Sequence, residues 1–340
     1  KKISYAELTK GKEIIETEIG DVPVKKPSEF RIMGKSRLRV DSAEKVQGKA
    51  KYAGDIQLPG MLSARILRPP SLGAKLTSAD TTAAAGMEGV KVVKDGDLVA
   101  VLHKSQHMAA KALGTIKAEW EEESLDLDHD SLFDHILKVA TESRVLASEG
   151  ELSVGKEASV KHIESTFEDP YIAHSPIENH TATAVMEEGR MKVWASCQTP
   201  YPTKEDIAEE LGMDQKNVQL LPIFVGGGFG GKIYNPQAIE AARLAKLTGK
   251  PVQVVYTREE EFLFDRLRPA GVVQVDAGLN EEGRISYWDF TVHMSGGREA
   301  EHFYQIPHSR TSVRWASEGT MGHPFYTGAW RAPSVNTNTF

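Results

Sequence analysis

Val225-Gly-Gly-Gly-Phe-Gly-Gly-Lys232 places five glycines in the six positions 226–231. Such a run has little use as packing. It permits positive φ and lets backbone N–H groups approach a ligand closely. Loops of this kind form concavities that hold anions. Three ligands compete for it. Gly226-x-x-x-x-Gly231-Lys232 nearly matches a nucleoside-triphosphate loop, but that loop needs Ser or Thr next, and Ile233 stands there. Gly226-x-Gly228-x-x-Gly231 fits a dinucleotide loop, whose helix should open inside the glycine run. Here Asn235 is an expected N-cap and Pro236 the first helical residue, so the helix starts late. An NAD(P)-dependent oxidoreductase therefore stays as an alternative. The third is another phosphate-bearing cofactor. A loop with no ligand is the remaining case; the apolar run Val218–Val225, expected as a buried strand entering the loop, argues against it.

Outward from the loop, residues 236–248 are expected as a helix with Gly249 past its end, and Pro251–Tyr256 as a strand. Upstream, Thr181–Glu187 and Met191–Ala195 pair about Glu188-Gly189, and Thr203 caps a helix that Gly212 stops. Downstream, Val272–Val275 and Ile285–His293 flank a turn at 280–283. Nearer the start, Lys51–Asp55 and Leu62–Leu67 are expected as short strands. Val90–Val93 and Leu98–Leu102 form a hairpin about Asp95-Gly96. Ser105 caps a helix expected to reach Trp120, and Asp130 a short helix bearing Leu132, Phe133 and Ile136. The expected organisation is an extended arm (1–45), a compact α+β module (46–122), a linker with a short helix (123–158) and a second α+β unit (159–340).

The balance of 40% apolar and 26% charged residues is that of a soluble globular protein, and 340 residues suggest more than one domain. The net charge of −7 and the absence of an aromatic–basic platform exclude nucleic acid as a partner. One cysteine, Cys197, allows neither an intrachain disulfide nor an iron–sulfur or Cys-based zinc site. No apolar run approaches the roughly 18 residues of a membrane helix. Both ends read as cut from something longer. Among histidines, His174 and His180 with Glu178 between them, and His302 with His308, lack the i, i+4 spacing of a zinc-hydrolase helix; His103 and His107 have it without the following Glu. Glu259–Glu261 is expected as surface charge.

With its neighbours the loop is more specific. Gly-Gly-Gly-Phe-Gly-Gly-Lys, about 28 residues after Gln198 in a Ser-Cys-Gln-Thr-Pro context, resembles the molybdopterin-binding subunit of the xanthine dehydrogenase/aldehyde oxidase family. Gly48-Lys-Ala-Lys-Tyr-Ala-Gly-Asp-Ile56, then Leu58-Pro-Gly-Met-Leu62, resembles the opening of that family's α/β hammerhead domain. Tyr304-Gln-Ile-Pro307 resembles its Tyr-x-Ile-Pro segment, and Thr327-Gly-Ala-Trp-Arg-Ala-Pro333 its Arg motif beside molybdenum. In the arm, Ile3–Leu8 and Lys26–Phe30 resemble a mid-chain segment of large subunits of the isoquinoline 1-oxidoreductase and nicotinate dehydrogenase types.

The resemblance implies an α+β fold, an α/β hammerhead domain followed by the first part of a molybdopterin-binding domain. It implies a molybdenum–molybdopterin cofactor, the cytosine dinucleotide form being one option, bound by Gln198, Gly227, Gly228, Phe229, Gly230 and Arg331. Gln198 would hydrogen-bond a terminal oxo ligand, the Phe229 N–H would contact the cofactor, and Arg331 would lie beside the metal centre. Ile233 stands where purine-oxidising members carry a Glu, which turns the expected substrate toward an apolar N-heteroaromatic ring or an aldehyde. The family's glutamate base has no counterpart in 1–340, so no catalytic residue is expected in this chain. The [2Fe-2S] clusters must sit on a partner iron–sulfur subunit. The rest of the molybdopterin domain on another chain, and a cytochrome or flavin subunit, are further implied partners. A periplasmic location follows from resemblance to exported relatives, with the cytoplasm as the other option. His174 and Glu178 match an Ala-His-x-x-x-Glu segment and are assigned structural work. A non-catalytic binding or assembly fragment stays as a second alternative.

Overall fold

The computed structural model describes residues 2–11, 23–122, 127–317, 322–331 and 335–338. Residues 12–22 of the arm, 123–126 of the acidic linker, and Ala332 and Pro333 of the Arg motif lie outside the described residues. Residues 1–50 form one unit and 51–340 another. In the first, α1 (Tyr5–Thr9) is closed by a capping box: the Glu7 N–H donates to the Ser4 hydroxyl and the Ser4 N–H to the Glu7 carboxylate. Neither α1 nor α2 (Ser42–Val46) buries a side chain.

The second unit starts with a 3-10 turn at Ala53–Asp55, where a strand is expected from the sequence. Tyr52 N–H donates to the Asp55 carboxylate, and this local bond curls the segment. β1 (Leu62–Ile66), β2 (Lys75–Asp80), the short α3 (Thr82–Ala85) and the hairpin of β3 (Lys91–Asp95) and β4 (Leu98–His103) follow. α4 (Gln106–Leu113) stops well before Trp120. Gly114 closes it, and Lys117–Glu121 becomes β5, its Trp120 opposite Leu76 of β2. The Ala118/Trp120 alternation has the period of a strand.

α5 (Leu132–Val139) buries Leu132, Phe133 and Ile136. The polar stretch after it, expected as loop, holds β6 (Glu142–Glu149) and α6 (Leu152–Glu157). β7 (Lys161–Asp169) precedes the hairpin of β8 (Thr181–Glu187) and β9 (Arg190–Ala195), whose turn residues Glu188 and Gly189 have φ of 48° and 75°. α7 (Pro200–Leu211) ends at left-handed Gly212. β10 is shorter than expected, Val218–Leu221, with Val218 its buried residue; 222–225 lie outside any strand. α8 (Pro236–Thr248) starts and ends where Asn235, Pro236 and Gly249 place it. β11 (Val252–Val255), α9 (Arg258–Phe264), β12 (Gly271–Leu279), β13 (Ile285–His293), β14 (Ser309–Trp315) and α10 (Val335–Asn338) complete the order.

A seven-stranded sheet runs β10-β9-β8-β11-β1-β4-β3, and a five-stranded sheet runs β6-β14-β13-β12-β7. β1 pairs in parallel with β11, so strands from 46–122 and from 159–340 share one sheet. Likewise β6, from 123–158, lies on β14. Ala238, Ala241, Ala242 and Ala245 line the buried side of α8 and pack against Ala182 and Ala184 of β8. At the N-terminus of the helix, Gln237 Nε2 donates to the Ser196 carbonyl just past β9, and His180 just before β8 meets the Tyr234 carbonyl at the end of the glycine loop.

The second sheet carries a pH liability. His293 is 2% exposed, and its Nδ1 has no hydrogen-bond partner. Burial, helped by Arg314, pulls its pKa down to about 4. The unfolded chain therefore binds the proton first, and stability falls as pH drops from 6.5 toward 4. The expected loss is about 3 kcal/mol. Urea unfolding at several pH values should record it in the wild type and a much flatter acid limb in His293→Asn.

Candidate functional site

The glycine loop leaves β10 and runs to a 3-10 turn at Gly231–Ile233 before α8. Its φ values are positive at Gly227 (101°), Phe229 (56°) and Gly230 (116°). The Gly226 N–H donates to Glu178 Oε2 at 2.7 Å, the Gly230 N–H to Gln198 Oε1 at 3.0 Å, and the Gly231 N–H to the Gly228 carbonyl. Among the described residues, the N–H groups of Gly227, Gly228 and Phe229 meet no acceptor. Three consecutive unclaimed donors on a backbone of alternating hand are what an oxyanion-binding loop requires.

Gln198 follows β9 and precedes α7. Its N–H donates to the Lys232 carbonyl at 2.7 Å, tying it to the far side of the loop. Because its Oε1 accepts from Gly230, the orientation of the amide is fixed, and its NH2 group has no acceptor among the described residues. The Arg331 N–H donates to the Phe229 carbonyl at 2.7 Å. Its guanidinium lies 5.0 Å from the ring centres of both Phe229 and Trp330. Gln198, Gly227, Gly228, Phe229, Gly230 and Arg331 thus converge from three separate chain segments. Ile233 sits half-buried at the loop's exit, its carbonyl accepting from the Thr199 hydroxyl. The delayed start of α8 leaves the dinucleotide alternative without its helix N-terminus, and Ile233 leaves the triphosphate loop without a hydroxyl.

Behind the loop lies a buried polar cluster; the sequence singled out His174, Glu178 and His180 but not their partners Asp265, Glu261 and Lys232. The Lys232 side chain is fully buried and donates to the Glu178 carbonyl at 2.7 Å and to its Oε2 at 2.9 Å. Burial lowers the lysine pKa, against the raising effect of Glu178. His174 reaches Asp265 at 2.9 Å and the Ala329 carbonyl at 2.7 Å. His180 Nδ1 lies 2.9 Å from Glu261, which also accepts the His180 N–H. The expectation that Glu259–Glu261 is surface charge fails here. Glu261 is 2% exposed, and Glu260 pairs with Arg68 at 2.7 Å. The capping box at Thr257 uses Glu260, and the next helical position faces inward. His180, Glu261 and Asp265 place ligand atoms within 4.8 Å of one another. Lys232 supplies positive charge beside them, and both His180 nitrogens already face protein acceptors.

The loop offers a row of unclaimed backbone donors, with a charged cluster packed against it. The chain belongs to the molybdopterin cofactor-binding domain family, whose match spans residues 138–317, over half its length. It is 28% identical over 306 residues to a nicotinate dehydrogenase chain of Pseudomonas putida, covering 87% of this chain and 26% of that protein. It is 26% identical over 300 residues to the nicotinate dehydrogenase large molybdopterin subunit of Eubacterium barkeri, covering 76% and 69%. The fold matches crystalline quinoline 2-oxidoreductase from Pseudomonas putida 86 with a TM-score of 0.74 at 20% identity, over 88% of this chain and 45% of that one. The α+β fold expected from the sequence is therefore that of molybdenum-hydroxylase large subunits. The chain spans about a quarter of the first of these relatives and under half of the crystallised one. No helix among the described residues is long and apolar enough to cross a membrane.

The residues present fit molybdopterin. The unclaimed N–H groups of Gly227, Gly228 and Phe229 and the free NH2 of Gln198 are donors, as phosphate and oxo oxygens require. At Gly228 a Cβ would stand 2.3 Å from Gln198 Oε1, so only glycine leaves the amide in place.

Proposed function

We propose that this chain is the molybdopterin-binding part of a molybdenum hydroxylase acting on an N-heteroaromatic ring or an aldehyde. The observation that carries this is the row of unclaimed N–H donors at 227–229 beside the Gln198 amide, which Gly230 holds in place. Bound molybdopterin would supply the metal centre that accepts two electrons from the substrate while oxygen comes from water. The chain's own part is to hold it. Gly227, Gly228 and Phe229 donate backbone hydrogen bonds, Gln198 donates from its NH2, and Arg331 presents a cation beside Phe229. Ile233 stands where a Glu would orient a purine, which favours a more apolar ring or an aldehyde. The cytosine dinucleotide form of the cofactor, [2Fe-2S] clusters on an iron–sulfur subunit, and a glutamate base on the remainder of the molybdopterin domain belong to this reading. A cytochrome or flavin subunit and a periplasmic site of action rest on the resemblance alone. The division into an arm (1–45), a hammerhead domain (46–122), a linker (123–158) and a molybdopterin domain (159–340) is part of the proposal.

The test is molybdenum and pterin analysis of the purified protein with its native subunits. Stoichiometric molybdenum is expected; an active complex with neither metal nor pterin overturns the reading. The role of Gln198 has its own check. Gln198→Glu keeps an acceptor for the Gly230 N–H and replaces the NH2 donor by a second anionic oxygen. Turnover should fall by about 100-fold or more with the melting temperature unchanged. Unchanged turnover would remove Gln198 from the site.

A further inference from the structure

We propose that His174 is a positioning residue: as an imidazolium donating from both ring nitrogens, it holds the Ala329–Arg331 segment on the glycine loop and keeps Arg331 in register with Gln198 and the Phe229 N–H. Only the consequence for the cofactor rests on the molybdopterin reading. The clamp itself is made by this chain's own hydrogen bonds.

Both partners of the ring are pure acceptors. Nδ1 lies 2.9 Å from the Asp265 carboxylate and Nε2 lies 2.7 Å from the Ala329 carbonyl. A neutral imidazole donates from one nitrogen only, so satisfying both requires the second proton. The side chain is fully buried, out of reach of bulk solvent. Burial works against the charge, but the hydrogen bonds to Asp265 and Ala329 outweigh it and raise the pKa above 6.5. Around the ring stand Asp265 and Glu261 from the α9 segment, Lys232 from the glycine loop paired with Glu178, and His180 against Glu261.

What the clamp holds is the point of closest approach. A Cβ on Gly230 would stand 2.1 Å from the Ala329 carbonyl oxygen, the same oxygen that accepts from His174. A Cβ on Gly231 would stand 2.9 Å from His174 Nδ1. Two residues beyond Ala329, the Arg331 N–H reaches the Phe229 carbonyl. When His174 loses a proton, the carboxylate keeps the remaining donor, because charge-assisted bonds are the stronger. The Ala329 carbonyl then faces an imidazole lone pair and the segment lifts. The sign follows from the raised value: the clamp is complete below pH 6.5 and is lost as pH rises through the folded-state pKa.

Hydrogen exchange, corrected for intrinsic rates, reads this directly on the purified protein with whatever subunits accompany it. Peptides covering 226–232 and 327–331 should lose protection about tenfold, with a one-proton midpoint above the ordinary histidine value, while peptides from β12 and β13 hold theirs. His174→Asn should exchange fast in the first two peptides at every pH. Asp265→Asn should move the wild-type midpoint to lower pH. Flat protection in the wild type, or wild-type protection in His174→Asn near pH ~6, overturns the clamp. If His174→Asn does not fold, β12 and β13 report it, and the wild-type and Asp265→Asn titrations decide. Pterin content of the same samples separates the two ideas. A pH-dependent clamp without pterin counts against the cofactor reading alone, and flat protection with pterin bound counts against the clamp alone.

Discussion

Gly230→Ala is expected to destabilise the protein by about 3 kcal/mol or more and to strip the glycine loop of its ligand. Two independent terms act in the same direction. At φ 116° and ψ −29°, a backbone shape that L side chains rarely adopt, alanine adds strain. Its Cβ would also meet the Ala329 carbonyl oxygen at 2.1 Å and the carbonyl carbon at 2.6 Å. Both atoms are backbone, pinned by His174 on one side and by the Arg331–Phe229 hydrogen bond on the other, so neither rotates away. The loop must open instead, and it carries Gln198's acceptor bond and the 227–229 donors with it. Gly227→Ala is the comparison. Its φ of 101° is also positive, but the nearest atom to a Cβ there belongs to the Phe229 ring, at 3.0 Å, which turns aside. Its cost should be smaller. Urea unfolding gives the stability difference, and molybdenum per chain gives the site. Equal losses for the two variants would mean that close approach of the Arg331 segment is not what requires glycine at 230.

The contrast between these glycines was open to sequence reading only in part. That the loop, Gln198 and Arg331 meet was legible, because each sits in a short motif and the order of the motifs carries the information. The helix α8 and the hairpins β3–β4 and β8–β9 were legible for a local reason: Pro236, Gly249, Gly96 and Gly189 act within a few residues of themselves. What holds the site from behind was not. His174 meets Asp265 across 91 residues and Ala329 across 155, and no local pattern encodes such pairs. β6 was missed because it is a polar strand whose partner β14 lies far along the chain, and its Glu142–Glu149 side chains are mostly exposed. Glu261 looked like surface because three acids stand together; the turn of α9 sends one of them inward.

Lys232→Met is expected to cost about 3–5 kcal/mol, more than the reciprocal change at Glu178, and the asymmetry is the informative part. The ammonium is wholly enclosed and makes two bonds to Glu178, one to its carbonyl and one to its carboxylate. Removing it strands a carboxylate that is 13% exposed and takes away the positive charge that faces Glu261 and Asp265, both buried acids. Glu178→Gln is gentler for two reasons. The amide still offers an oxygen to the Gly226 N–H, so the loop's entry survives. The lysine, whose pKa burial already lowers, can also shed its proton. That predicts a pH signature. Without Glu178, which raises it, the folded value falls further below 10.5 than in the wild type, so the Glu178→Gln variant gains more stability with rising pH and its deficit should shrink toward pH 10.5. The Lys232→Met deficit has no lysine to titrate and should not shrink. The double variant Lys232→Met/Glu178→Gln removes both charges and should recover about 2 kcal/mol of the summed single losses. Strictly additive losses, or a Glu178→Gln deficit that grows with pH, would show that the pair does not act as the buried brace of the loop.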